Sequence, residues 1–489
     1  MMNQRRKEII NALDHVVMLG FAGLFFLSPF VDRMFFGVEQ GRAPAFILGL
    51  SLISLGGKVW RGEKDFLQKP LDYLVLAFFV LYGAAVFWAA DTTLAREEAG
   101  KAFSYFLVYW LTYQLAQKGK GVSLVLNAIY FSGVAVALTG MAGAAGLVPL
   151  EGGFVNERIS STFGYPNALA AFLGTLVILG IYLFEDGGPA AGFVGWRWLC
   201  YFYVAGNYVL MTVFFASGSR GAFLLLPAVA FLFFLGLPGG RGLAGAGHFV
   251  VVLLAALAAN YRIMAYFRAS DLSSLALWLG FGLVCALLGQ AVLQAASRWG
   301  KKGKYVYPVF FFIFALVVGY GGLQVKNYPV PVKVIPEHIV ARMQKIDLDQ
   351  SSVQARFTLW KDALRIVRDH PVLGLGGGAF EVIYPAYKEN PSIRGQVHNH
   401  YLKVWTETGS VGLAIFGGIW LLYFYLVCRI YGQKQEGEKR ALVWALFCAS
   451  VMLGSHGAID YDLSFQALSM VLFCFFGMVR GMAPLTVRI

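Results

Sequence analysis

YPNALAAFLGTLVILGIYLF, residues 165–184, runs for twenty residues without a charged side chain. At about 1.5 Å of rise per residue a helix of this length covers the roughly 30 Å hydrocarbon core of a bilayer. The rest of the chain agrees with it. Of 489 residues, 58% are hydrophobic and only 14% charged, and the mean hydropathy is +0.63, far from an ordinary soluble domain. Aromatic residues at 16% and 57 glycines suit interfacial anchoring and close helix packing.

Working outward from 165–184, comparable runs occur near 14–32, 43–58, 72–90, 100–117, 122–148, 197–216, 220–236, 247–266, 271–296, 305–323, 404–429, 440–457 and 463–480. The expectation is an all-α polytopic membrane protein of about 12–14 spans, read as one membrane domain: residues 1–323 as spans 1–11, a loop over 324–403, and spans 12–14 in 404–489. The start, MMNQRRKEII, is a basic flank without a small-residue cleavage signature, so the first span reads as retained and the N-terminus as cytoplasmic.

That placement puts 21 of the 40 Lys and Arg in cytoplasmic tails and short turns, against eight in the short outer turns. Clusters such as Lys58, Arg61, Lys64, Lys69 and Arg298, Lys301, Lys302, Lys304 fall inside, as the positive-inside rule requires. Both termini are then cytoplasmic and the segment 324–400 is extracytoplasmic. The net charge of +13 is topological, because a nucleic-acid surface needs a basic face with aromatic stacking, whereas here the charges punctuate apolar runs. The five cysteines lie inside apolar runs, without metal-ligand spacing and without a disulfide expectation.

A connection as long as 324–400 carries function more often than not. Within it DQSSVQARFTLWKDALRIVRDHP reads as an amphipathic helix, with Ser351 and Gln354 at capping-box spacing, an apolar stripe at Phe357, Trp360, Leu364 and Val367, and Pro371 as its end. Arg356, Arg365 and Arg368 decorate it, either as a solvated basic face or as guanidinium groups offered to an anion. GLGGGAF, 374–380, has no preceding strand and lacks dinucleotide spacing, which leaves a flexible or tightly turned loop.

The loop closes on VHNHYLKVWTETGSVG, where His398, Asn399 and His400 precede the next span. Three polar residues at the mouth of a helix bundle, with arginines in the same loop, suit a general base beside an anion site. A metal is not expected: His398 and His400 diverge at i and i+2 on a helix, and no carboxylates complete a set. Asp460 and Asp462, in GAIDYD, lie on the outer side near the last span, either to orient a base or bind sugar hydroxyls or, as the plainer reading, as a solvated turn.

His398, Asn399, nine residues, Gly409 and Gly412 resemble the signature of the O-antigen ligase and polymerase superfamily. RISSTFGYPNALAAFL, 158–173, and SGSRGAFLLL, 217–226, are similar to further pieces of the same family. The resemblance implies a multi-helix GT-C-like glycosyltransferase of roughly twelve spans that acts on the extracytoplasmic face of the cell membrane. The implied donor is a polyprenyl-diphosphate (undecaprenyl-type) glycan and the acceptor a glycan, lipid or protein, with no cofactor and no metal. Carried over by residue, His398 is the base, and Arg220, Arg356 and Arg158 bind the diphosphate, with Asn399 and His400 beside them as substrate contacts. Ligase and polymerase share the motif and stay undivided.

Two other classes fit the spans. A solute or anion transporter predicts charged or broken helices at mid-membrane. A scaffolding protein predicts that His398 and the loop arginines are dispensable.

Overall fold

The computed structural model describes residues 4–31, 39–119, 121–186, 200–297, 335–344, 351–389, 395–433 and 437–483. In chain order these form α1 (Gln4–Leu27), α2 (Glu39–Arg61), α3 (Pro70–Ala85), α4 (Thr92–Gln117), α5 (Val122–Ala144), a hairpin of β1 (Phe154–Val155) and β2 (Arg158–Ile159), α6 (Pro166–Glu185), α7 (Cys200–Ser217), α8 (Arg220–Gly236), α9 (Arg241–Ala269) and α10 (Leu272–Ser297). There follow α11 (Glu337–Gln344), α12 (Ser351–Asp369), α13 (Ala379–Tyr387), α14 (His400–Gly432), α15 (Gly437–Gly457) and α16 (Gln466–Met482).

The chain is an all-α polytopic membrane protein. Among the described residues eight helices are long and apolar enough to cross a membrane, and Pro70–Ala85, Arg220–Gly236 and Gln466–Met482 are shorter apolar helices. Every expected span but one falls on a helix. The exception, 305–323, lies outside the described residues.

Two compact units divide the chain. One takes Met1–Ile129, Ser351–Lys434 and Leu453–Ile489, the other Tyr130–Gln350 and Gln435–Met452.

In the first unit α16 lies directly on α4. Gly477 and Gly481, one turn apart, make this possible: a Cβ at either would sit 2.5 Å from the Tyr109 carbonyl oxygen or 2.6 Å from that of Tyr113. Lipid tails give apolar helices no reason to associate, so small residues that let backbones meet take over that role. Between the two glycines Arg480, fully buried, donates from Nε and Nη2 to Asp72 of α3 at 2.9 and 3.0 Å and lies 4.4 Å from the Tyr113 ring centre. Asp72 also accepts from the Tyr109 hydroxyl at 2.6 Å and from the backbone N–H groups of Gln68 and Lys69. A buried ion pair is tolerable when its remaining lone pairs are filled in this way.

In the second unit α6 is apolar on all sides and almost wholly buried. A polar chain crosses this unit from Tyr130, whose hydroxyl donates to Asn207 (3.1 Å), through Asn207 to His248 Nε2 (3.0 Å) and from His248 Nδ1 to Gln290 (2.8 Å). The Asn207 amide N–H can only donate, so His248 carries its proton on Nδ1 and every member is satisfied.

The hairpin pairs Phe154 with Ile159 and Val155 with Arg158. Its two turn residues, Asn156 and Glu157, both have positive φ (52° and 58°), the twist that suits a two-residue connection. That turn places Arg158.

Candidate active site

Helix α12, expected from its periodicity, is present, but the expected apolar stripe is buried only in part: Val367 is buried and Trp360 half-buried, whereas Phe357 and Leu364 are exposed and Leu359, Ala363 and Ile366 are buried in their place. Leu359, Ala363 and Ile366 form a small core with Phe380, Tyr384 and Val397, against which Trp360 and Leu402 pack. This core fixes the chain just before α14, and Trp360 Nε1 adds a hydrogen bond to the His398 carbonyl at 3.2 Å.

His398 follows directly. Its backbone is left-handed (φ 48°), a conformation uncommon outside glycine that persists only where the surroundings enforce it. Nδ1 lies 2.9 Å from Asp460 Oδ1, and since a carboxylate can only accept, Nδ1 carries the proton and Nε2 is the basic nitrogen. The ring meets Tyr461 edge-on at 5.0 Å.

Asp460 is the centre of the arrangement. Oδ1 takes His398 and the Tyr461 N–H at 2.9 Å, while Oδ2 takes Arg356 Nη2 at 2.8 Å. Asp460 is 1% exposed and Asp462 is fully buried, so the reading of GAIDYD as a solvated turn is overturned. Burial by itself raises the Asp460 carboxyl, but the hydrogen bond from His398 and the charge of Arg356 outweigh it and hold the group well below the usual carboxylate range. Asp462 goes the other way: burial raises it and its short hydrogen bond with His456 Nδ1 only partly offsets that.

Asn399 and His400 sit beside the dyad with different surroundings. Asn399 is the N-cap of α14, accepting at Oδ1 from the N–H groups of Tyr401 (3.0 Å) and Leu402 (3.1 Å). Asn399→Ala is therefore expected to cost about 1 kcal/mol, as cap removal does, with Asn399→Asp recovering it; thermal unfolding of the solubilised chain reads both. His400 is buried against Phe416 and lines a small cavity with Tyr82, Glu98 and Tyr105. Of the other α12 arginines, Arg365 pairs with Glu389 and lies 3.6 Å from Asp362.

The first signature glycine, Gly409, breaks α14. At Gly409 (φ 64°, ψ −168°) the helix is interrupted in a region open essentially to glycine alone. A break strands carbonyls before it and N–H groups after it. Loop 371–376 takes four of them: Leu375 and Gly376 N–H donate to the Thr406 and Glu407 carbonyls (3.1 and 2.9 Å), and Ser410 and Val411 N–H donate to the Pro371 and Val372 carbonyls (2.8 and 3.3 Å). The Glu407 carboxylate accepts from Gly378 N–H and the Tyr82 hydroxyl, each at 2.8 Å. GLGGGAF is thus tightly turned, with Gly374, Gly376 and Gly378 all at positive φ.

In the second unit, Arg158 donates from Nε to the Ser217 carbonyl at 2.6 Å and from Nη2 to Asn167 at 2.7 Å, tying together the two sequence pieces 158–173 and 217–226. Arg220 is the first residue of α8, after the N-cap Ser219. Among the described residues no group of three or more His, Cys, Asp or Glu is gathered for a metal.

The sequence offered Asp460 as a group that could orient a base but ranked a solvated turn above that reading. The signal in favour of Asp460 was the rarity of carboxylates between two apolar helices, since a buried ionisable group beside a span marks function by default.

Over residues 205–417 the chain matches the family model described as O-antigen ligase. The matched stretch begins within α7 and ends in α14 just beyond Gly409 and Gly412. No curated protein matches the chain.

Proposed function

We propose, from the premise that this multi-span membrane chain carries an O-antigen ligase-family domain over residues 205–417, that it transfers a glycan from a polyprenyl diphosphate to an acceptor hydroxyl on the extracytoplasmic face. The observation that carries the reading is the His398–Asp460–Arg356 constellation: a histidine with one nitrogen fixed by a buried carboxylate, and an arginine held by the same carboxylate.

His398 Nε2 takes the proton of the acceptor hydroxyl as its oxygen bonds to the anomeric carbon. The bond from that carbon to the diphosphate breaks, and the electron pair leaves with the diphosphate. Asp460 keeps Nδ1 protonated, turns the ring, and stabilises the imidazolium that forms. Arg356 gives Nη2 to Asp460 and offers its other N–H groups to the growing negative charge. By resemblance Arg158 and Arg220 also bind diphosphate. Asn399 and His400 are better assigned to placing His398, one as the cap of α14 and the other as a packed residue of its first turn.

The break in α14 is the feature a transporter would share. Two carbonyls and two N–H groups at the break are taken by loop 371–376, however, where a transporter would leave such groups to a solute.

The test is transfer by the full chain in nanodiscs, supplied with a polyprenyl-diphosphate oligosaccharide and either a lipid-linked glycan or a lipid-core acceptor, with products resolved by length. A single added unit on the lipid core is the expected ligase product, and a ladder identifies a polymerase. No product with any acceptor, from protein that unfolds cooperatively, overturns the glycosyltransferase reading.

A further inference from the structure

Arg342, on α11, has no place in the reaction described so far. It meets the SGSRG turn at Gly218, where a Cβ would stand 3.3 Å from Arg342 Nε and 3.4 Å from Arg158 Nε. The two guanidinium groups therefore approach the same backbone position, with Nε atoms at most about 6.7 Å apart, the sum of those distances. Gly218 (φ 62°) keeps the space between them clear.

Like charges this close repel unless something negative stands between them. The nearby Arg268 is already paired with Glu157 at 2.7 Å. His338 lies one turn before Arg342 on the same face of α11, and its Nε2 is buried with no hydrogen-bond partner among the described residues. Burial and the charges of Arg268 and Arg342 push its imidazole down to about 4, so at neutral pH it is an uncharged group able to give or take one hydrogen bond. Arg158 gives Nε to the Ser217 carbonyl and Nη2 to Asn167 and so adds its charge, while the Arg342 guanidinium supplies a fork that complements a phosphate group at N–O distances of about 2.7–2.9 Å.

We propose that Arg342 is a further anion-binding residue, which with Arg158 across Gly218 clamps one phosphate of the lipid-linked donor. This rests on the transferase reading for the identity of the donor, but the clamp itself is a binding site and can be measured without turnover. The same chemistry is offered by the headgroup of an anionic phospholipid.

The experiment measures binding of farnesyl diphosphate to the full chain in nanodiscs of zwitterionic lipid, for wild type, Arg342→Gln and Arg342→Lys, with thermal unfolding of each recorded alongside. Arg342→Gln is expected to weaken binding about tenfold, the loss of one charge-assisted contact, and Arg342→Lys to recover only part of it, because a point charge replaces a fork. In turnover the donor KM should rise while kcat at saturating donor holds.

Unchanged binding in both variants overturns the clamp. Weakened binding in Arg342→Gln, from a wild type that transfers nothing, keeps the clamp and removes the transferase. Adding phosphatidylglycerol to the nanodiscs separates the sources: competition with farnesyl diphosphate that vanishes in Arg342→Gln assigns the clamp to a bilayer headgroup and overturns its assignment to the donor.

Discussion

Replacing His398 by alanine is expected to lower glycan transfer by about 10²–10⁴-fold, the range general base catalysis supplies, while the chain still inserts and unfolds cooperatively. The His398 side chain is 22% exposed and touches Tyr461 outside the spans, so its removal leaves the helix bundle intact and takes from Asp460 one of the hydrogen bonds that lower its carboxyl. Asp460→Asn should lower transfer by the same route, because an amide neither holds the Nδ1 proton nor stabilises an imidazolium.

Both variants lose stability, Asp460→Asn the more because it gives up the charge that Arg356 and His398 share. The Asp460 carboxyl lies below its ordinary value in the folded chain, so its contribution to folding is complete above the unfolded value of about 3.9 and disappears as pH falls through the lower, folded one. Asp460→Asn should therefore lose stability at neutral pH, and the wild type should converge on it only in strong acid. Membranes carrying matched amounts of each protein give the rates, and denaturation of purified chains at pH 7 and pH 3 gives the stabilities. Transfer at the wild-type rate by inserted His398→Ala would take His398 out of the chemistry and with it the reason for the dyad.

The second large effect belongs to Gly409. A Cβ there would stand 2.1 Å from the Val372 carbonyl oxygen and 2.2 Å from its carbon, both backbone atoms held by hydrogen bonds to α14. Strain at such a φ,ψ is worth about 1–3 kcal/mol by itself, and the collision adds to it. Gly409→Ala is expected to accumulate poorly and to melt well below the wild type. Gly417→Ala, eight residues on in the same helix, is the control: a Cβ there meets nothing within 4 Å, and alanine suits a helix interior better than glycine. Equal melting temperatures for the two variants would show that the break at Gly409 is dispensable.

The spans were legible in the sequence because a bilayer imposes one simple condition, a long run of apolar residues with the backbone satisfied internally. That condition is local, and the helices from α1 to α10 meet it where the apolar runs predict. Helix α12 shows where local reading ends. Apolar residues occupy 357, 359, 360, 363, 364, 366 and 367, too wide a stripe to name its own inward face. The choice is made by Phe380, Tyr384 and Val397, which come later in the chain.

The site divides in the same way. His398 and Arg356 were visible as residue types in a long loop. Asp460 was legible only as a second choice, a base-orienting group ranked below a solvated turn, because an aspartate in a turn is ordinarily hydrated and its burial depends on His398 and Arg356, 62 and 104 residues away. Gly409 and Gly412 were visible as spacing only. The reason for Gly409, a helix interrupted and resealed by 371–376, needs both segments in view.

That sealed break has a consequence for anyone who would exchange parts of this protein. Residues 371–378 and 406–412 share one set of donors and acceptors, so neither can be lengthened, shortened or replaced while the other is kept. A chimera that imports a foreign acceptor-facing loop must cut on the far side of both, carrying them as a matched cassette, or it will deliver the new specificity on a helix that cannot close.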